Sequence, residues 1–292
     1  MKIIGIGVVG CILIFMMVLS LSSWLEQSSI STWLWDTEKI AEEQTDILTF
    51  LDKENVDVLY LQISKSMDKE LYRDFIAKAT EQDLEVHALG GSKEWATKES
   101  EQEFQDYLQW IQLYQESAKK EERFTGIHLD VEPYLHKDWE KNQSAYVKQY
   151  QYVLAQTEET AKRLKLTFGA DMPFWFDGVS YRNAYGSGLL SEWIIDHTDF
   201  VSIMSYRNKA KGKNGINMLV KSEINYAKKV GKTVNVGVEM HPSDEGDNVS
   251  FSNTKLSEFR KQLLLVQKTY GKSTGFNGFS IHSLESWMEK AN

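Results

Sequence analysis

Between residues 31 and 283 the sequence alternates eight short β-forming runs with amphipathic stretches, an order that few folds accept. The β-like runs are 31–36, 57–64, 85–91, 124–134, 164–174, 200–207, 233–241 and 277–283. The helical stretches lie near 38–54, 68–82, 99–118, 143–163, 188–197, 216–230 and 254–269. Apolar residues recur there at three and four, as in Phe75, Ile76 and Ala79, or Leu256, Phe259, Leu263 and Val266. Such an alternation implies parallel strands joined by right-handed crossovers. A closed (β/α)8 barrel and an open doubly wound sheet both satisfy it. The open sheet usually carries a glycine-rich phosphate turn after its first strand, and Trp33-Leu34-Trp35-Asp36 has no glycine. The expected architecture is an α/β protein with one (β/α)8 (TIM) barrel over residues 25–292, a length close to the usual ~250 residues. Residues 244–253, rich in Ser, Asp, Asn and Gly, are expected to form a surface loop after the seventh strand.

Residues 1–24 belong to a different class. Lys2 is followed by an uncharged run from Ile3 to Leu21, and Glu26 is the next charged residue. About 20 apolar residues cross a bilayer, so this run can serve as an uncleaved anchor. Ser20-Leu21-Ser22 also offers small residues for signal cleavage. The position of Lys2 places the barrel outside the membrane, tethered through the N-terminal segment or secreted if that segment is cleaved. The sole cysteine, Cys11, lies in this run, so the barrel has no thiol or disulfide. The net charge is -9, and no basic stripe interleaves with aromatics, so nucleic acid is not an expected partner.

The candidate chemistry lies in Gly126-Ile127-His128-Leu129-Asp130-Val131-Glu132-Pro133. With a period of two, Ile127, Leu129 and Val131 face the helices, while His128, Asp130 and Glu132 face the barrel interior. Three titratable groups on one inward face are costly to bury unless paired or used. They also approach the C-terminal end of a strand, where barrel active sites lie.

This segment resembles the fourth-strand motif of glycoside hydrolase family 18, the chitinase-like hydrolases, which runs Asp-Gly-x-Asp-x-Asp-x-Glu. Here Asp130 and Glu132 match the last two acids, while Thr125 and His128 replace the first two aspartates. Ala88-Leu89-Gly90-Gly91 is similar to the family's third-strand Ser-x-Gly-Gly. Gly169-Ala170-Asp171-Met172-Pro173 resembles the end of its fifth strand, and Ser202-Ile203-Met204-Ser205-Tyr206 its sixth-strand Met-x-Tyr. Gly237-Val238-Glu239-Met240-His241 falls at the seventh.

The resemblance implies a substrate-assisted retaining glycosidase acting on an N-acetylated glycan, with no cofactor and no metal. Glu132 would be the general acid and base, Asp130 would orient the substrate acetamido group, and Tyr206 would hydrogen-bond its oxygen. Trp35, His128, Asp171, Met204, Glu239 and His282 are the expected sugar-binding residues, Asp171 and Glu239 through hydroxyl groups. Trp35, Trp95, Trp175 and Trp287 fall near strand ends, where a sugar can stack or the core can pack. His282 stands where the family places a tryptophan beneath the sugar, which points to a substrate with an acidic or bulky substituent. Two other classes remain open: a non-catalytic carbohydrate-binding barrel, and a metal-dependent hydrolase using His87, His128, Asp130, His241 and His282.

Overall fold

The computed structural model describes residues 28–291; the expected anchor segment, residues 1–24, lies outside the described residues. The chain runs β1 (Ser29–Leu34), α1 (Gln44–Lys53), β2 (Val58–Gln62), α2 (Lys69–Glu81), β3 (Glu85–Gly90), α3 (Glu101–Ser117), β4 (Gly126–Leu129), α4 (Trp139–Leu164) and β5 (Thr167–Pro173). A short antiparallel hairpin, β6 (Ser180–Asn183) and β7 (Gly186–Leu189), follows. The barrel resumes with α5 (Leu190–Asp196), β8 (Phe200–Met204), α6 (Lys221–Val230), β9 (Thr233–Glu239), α7 (Leu256–Tyr270), β10 (Phe276–His282) and α8 (Leu284–Ala291). Eight parallel strands close in the order β1-β10-β9-β8-β5-β4-β3-β2, as the alternation predicts. Among the described residues no helix is long and apolar enough to cross a membrane.

Three departures from the expected elements have local causes. The stretch near 188–197 begins as strand β7, because Gly186 takes a φ of 103° in the hairpin turn and Gly188 follows it. The last helix, α8, was not evident from the spacing of apolar residues. Finally, β4 stops at Leu129 rather than continuing to Tyr134, because Pro133 opens a 3-10 turn over Pro133–Leu135.

The outward faces of the strands make the main core. Leu59, Leu61, Val86, Ala88, Ile127 and Leu129 are buried against apolar helix faces that include Phe75, Ile76, Phe104 and Ile111. Burying each large side chain of this kind contributes about 1.5–3 kcal/mol. The inward faces fill the barrel with rings: Trp33 and Tyr60 meet edge to face at 5.2 Å, and Tyr60 stacks on His128 at 3.7 Å. Phe200 lies against Tyr60, His87 and His128.

At the N-terminal end two aspartates brace neighbouring strands in the same way. Asp57 Oδ2 accepts the Ile30 N–H at 2.8 Å, while its own N–H donates to the Ile30 carbonyl. Four barrel strands later, Asp199 Oδ2 accepts the Phe168 N–H at 2.9 Å, and its N–H donates to the Phe168 carbonyl. Hydrogen bonds to charged groups contribute about 1.5–3 kcal/mol each. Asp57→Ala and Asp199→Ala should therefore each lower unfolding free energy by an amount in that range, measured by urea denaturation. Equal midpoints for wild type and both variants would show that the braces carry no stability.

Candidate active site

The site forms where β4 and β5 end. Leu129 pairs with Ala170, so the next residue on each strand, Asp130 and Asp171, stand side by side. Their neighbour β3 ends in Gly90 and Gly91, and these glycines set the geometry. A Cβ on Gly91 would lie 1.8 Å from the Asp130 carbonyl oxygen, and one on Gly90 would strike the Tyr107 ring at 2.4 Å. The Gly-Gly pair thus admits the backbone of the acidic segment, which bonds through Asp130 N–H to the Gly90 carbonyl at 3.0 Å.

Asp130 retains some exposure, but its Oδ1 is buried without a protein hydrogen-bond partner. Burial, with Asp171 and Glu132 close by, pushes its carboxyl well above the usual carboxylate range. Asp171 is 2% exposed and accepts the Trp33 indole N–H at 2.8 Å. Burial drives its carboxyl up as well, with the Trp33 bond and His282 only partly opposing. Two carboxyls side by side, with a third nearby, oppose each other's ionisation.

Glu132 leaves the strand at the mouth and is half-buried, in contact with Tyr134, whose hydroxyl donates to its Oε1. Trp175 and Phe176 pack against Tyr134 from the end of β5. By sequence Tyr134 closes the β-like run 124–134 and has no role in the site. The proline before it, which turns the chain back over Glu132, was the available signal.

His128 does not bond Asp130. Its imidazole lies flat on Tyr60, has no exposed surface, and places Nε2 3.0 Å from Asp171 Oδ1 without hydrogen-bond alignment. Burial pushes its pKa down to about 3, so it is neutral. A residue with no surface does not touch a sugar. His128 instead fills the barrel beneath the carboxylates.

The other side of the mouth is built around His282. Its Nδ1 lies 2.9 Å from Glu239 Oε2, and its Nε2 accepts the Trp35 indole N–H at 2.9 Å. Indole N–H is only a donor, so Nε2 carries a lone pair and the proton sits on Nδ1 facing Glu239. Burial pulls the imidazole pKa down, but the Glu239 bond outweighs it, aided by Asp130 and Asp171, and the net direction is up. Protonation at Nε2 would have to expel Trp35. Glu239 is buried and also accepts the His241 N–H at 2.7 Å, so both its oxygens are engaged. His282 is therefore tied to protein at both nitrogens and positions Trp35, rather than offering a free cation to the substrate.

Tyr206 faces His282 with ring centroids 5.9 Å apart. Burial and the nearby Glu239 raise its hydroxyl pKa well above normal, so it remains a donor. Met204 ends β8 opposite Pro173 and Gly237 and is half-buried. Two of the four tryptophans move away from the site. Trp95 packs on Phe104 and Tyr107, and Trp287 on Phe50, both in the helical shell, where apolar surface is covered. Trp35 and Trp175 remain half-buried at the mouth.

The alternative metal set does not converge. His87 sits deep against Tyr60 and Phe200, whereas His241 is exposed beside Ser286. Among the described residues no group of three His, Cys, Asp or Glu side chains is placed to hold a metal ion.

The carboxyl crowding has a measurable cost. A carboxyl whose folded pKa exceeds its unfolded value of about 3.9 binds more protons when folded. Stability is then lost as pH rises from about 4 toward the raised value. Asp171→Asn keeps an acceptor for Trp33 but removes the charge. Its melting temperature should exceed that of wild type at pH 7 by a few degrees, and the two should converge near pH 3–4, where both states are protonated. A variant less stable than wild type at pH 7 would mean that Asp171 is held as an anion.

No family model and no curated protein matches the sequence. Solved structures do match in fold. The C-terminal domain of a putative chitinase from Desulfitobacterium hafniense is similar at TM-score 0.58 and 10% identity, covering 90% of this chain and 96% of that one. The spore cortex-lytic enzyme SleL of Bacillus megaterium gives 0.53 at 11% identity, covering 90% and 73%. A family 18 chitinase from Cycas revoluta, solved with (GlcNAc)3, gives 0.51 at 12% identity, covering 90% and 96%. The chain thus has the barrel fold of the chitinases that its fourth-strand motif resembles.

Proposed function

We propose that the protein is a divergent member of glycoside hydrolase family 18 that cleaves N-acetylhexosamine-containing glycans with retention. The observation that carries this reading is the placement of Asp130 and Glu132 at the open end of β4, with Tyr206 on the facing side of the same mouth. Glu132 gives its proton to the glycosidic oxygen as the C1–O bond breaks, and the acetamido carbonyl oxygen of the substrate attacks C1. The Tyr206 hydroxyl donates to that oxygen. Asp130 accepts the acetamido N–H and stabilises the cyclic cation. Water then attacks C1 while Glu132 takes its proton, restoring the acid.

The Tyr134 hydroxyl fixes one oxygen of Glu132 and so aims the other. His128 cannot share a proton with Asp130 as an aspartate would. Asp171, in register beside Asp130, takes that place. Trp35, braced by His282, offers its ring as a stacking surface for a sugar.

Glu132→Gln should reduce hydrolysis of N-acetylglucosamine oligomers or peptidoglycan fragments by at least about 10²–10⁴-fold, while sugar binding persists. Full turnover in the variant would end the assignment. Binding by the wild type without turnover on any fragment would favour the non-catalytic carbohydrate-binding reading.

The location proposed for the barrel is outside the membrane, tethered or released through residues 1–24. Support comes from the apolar run after Lys2. Protease added to intact cells should digest the barrel; digestion only after lysis would place it inside.

A further inference from the structure

The segment that leaves β8 carries a charge pattern at odds with the rest of the chain. Residues 207–213 read Arg207-Asn208-Lys209-Ala210-Lys211-Gly212-Lys213, four cations and no acid, in a protein of net charge -9. It follows Tyr206 directly and so stands at the barrel end that holds Asp130 and Glu132.

The segment is built rather than loose. Asn208 N–H donates to the Asn248 carbonyl at 2.9 Å, and its side-chain amide donates to the Asp247 and Ser250 carbonyls at 2.7 and 3.2 Å. Ala210 N–H donates to Gln262 Oε1 at 2.8 Å, and Ile216 N–H to the Lys209 carbonyl at 2.9 Å. Lys209, Lys211 and Lys213 are exposed. The opposing loop carries Asp244, Glu245 and Asp247, yet among the described residues no ion pair joins these acids to the four cations.

Arg207 is the anchored member. Its guanidinium lies 5.3 Å over the Phe174 ring, at the end of β5, and Nη1 donates to the Tyr206 carbonyl at 2.6 Å. Its Nε is buried with no hydrogen-bond partner. With Nη1 engaged and Nε buried, Nη2 is the accessible edge left to a carboxylate, on a guanidinium already placed over a ring. His282 cannot fill that role, since both its nitrogens are committed.

Resting on the hydrolase reading above, we infer that Arg207 and the lysines behind it select glycans whose N-acetylhexosamine units carry carboxylate substituents. Arg207 pairs with one carboxylate beside the acetamido site. The lysines attract the remaining charges of the polymer along the rim of the same mouth. The salt dependence of binding follows from the exposed lysines, and the geometric selectivity from the arginine.

The test uses a matched pair of probes: muramic-acid-containing disaccharide oligomers, and the same oligomers with their carboxyls reduced to alcohols. Binding to the Glu132→Gln protein is measured by calorimetry, and turnover on the wild type. The acidic probe should bind more tightly than the reduced one, and the gap should shrink with added salt. Arg207→Met should narrow the gap by about tenfold or more, the loss expected when a charge-assisted pair is removed. Arg207→Lys should restore part of it. The triple variant Lys209→Gln, Lys211→Gln, Lys213→Gln alters only exposed side chains and should flatten the salt dependence even if Arg207 variants fold poorly.

Equal binding of the two probes by the Glu132→Gln protein, or an unchanged gap when Arg207→Met or the triple variant is added to it, would overturn the inference. Failure of Glu132→Gln to reduce turnover would instead overturn the hydrolase reading, and the binding gap would still be read separately.

Discussion

The volume inside a closed eight-strand barrel is fixed, and here rings share it with glycines set beside them on neighbouring strands. Trp33, Tyr60, His87 and His128 enter from the first four strands, and Phe200 from β8. Beside them on the neighbouring strands stand residues too small to compete. A Cβ on Gly126 would lie 2.6 Å from the His87 ring, and one on Gly169 would lie 2.3 Å from Phe200. Ser31, Ser202 and Ser280 fill the remainder and bond one another and the Tyr60 hydroxyl. Close packing makes each of these choices depend on the others. The floor on which the carboxylates stand is therefore aromatic, with serine hydroxyls between the rings.

That floor explains the identity of residue 128. An aspartate there would add another carboxyl to a cluster already crowded by Asp130, Asp171 and Glu132. A neutral imidazole stacks on Tyr60, fills the layer and adds no charge. Asp171 then serves as the neighbour of Asp130, tied from below by Trp33. Where the resembled motif has an aspartate at this position, the acid beside Asp130 here comes from the fifth strand.

The barrel was legible because the period of two on the strands and the three-four spacing on the helices are direct images of what each face touches. The inward placement of Asp130 and Glu132 was legible from the same period of two, whereas Tyr206 entered only through the family resemblance. What stayed hidden depends on contacts between distant segments. Nothing local distinguishes Trp35, which meets His282 across the closure of β1 on β10, from Trp95, which packs under a helix. Glu239 reads as a free mouth acid until His282 and His241 are seen to occupy it. Arg207 closes the β-like run 200–207 and carries no local signal; its place over Phe174 comes from the neighbouring strand.

The two aspartate braces beneath the barrel recur at an interval of four strands, with the same atoms and nearly the same lengths. The lower rim thus uses one device twice, where β1 meets β2 and where β5 meets β8. The upper rim repeats nothing of the kind: Asp130 and Asp171 stand side by side at β4 and β5, while Glu239 is tied to His282 at β9 and β10. The end that carries no site can reuse a solution, and the end that carries one differs from strand to strand.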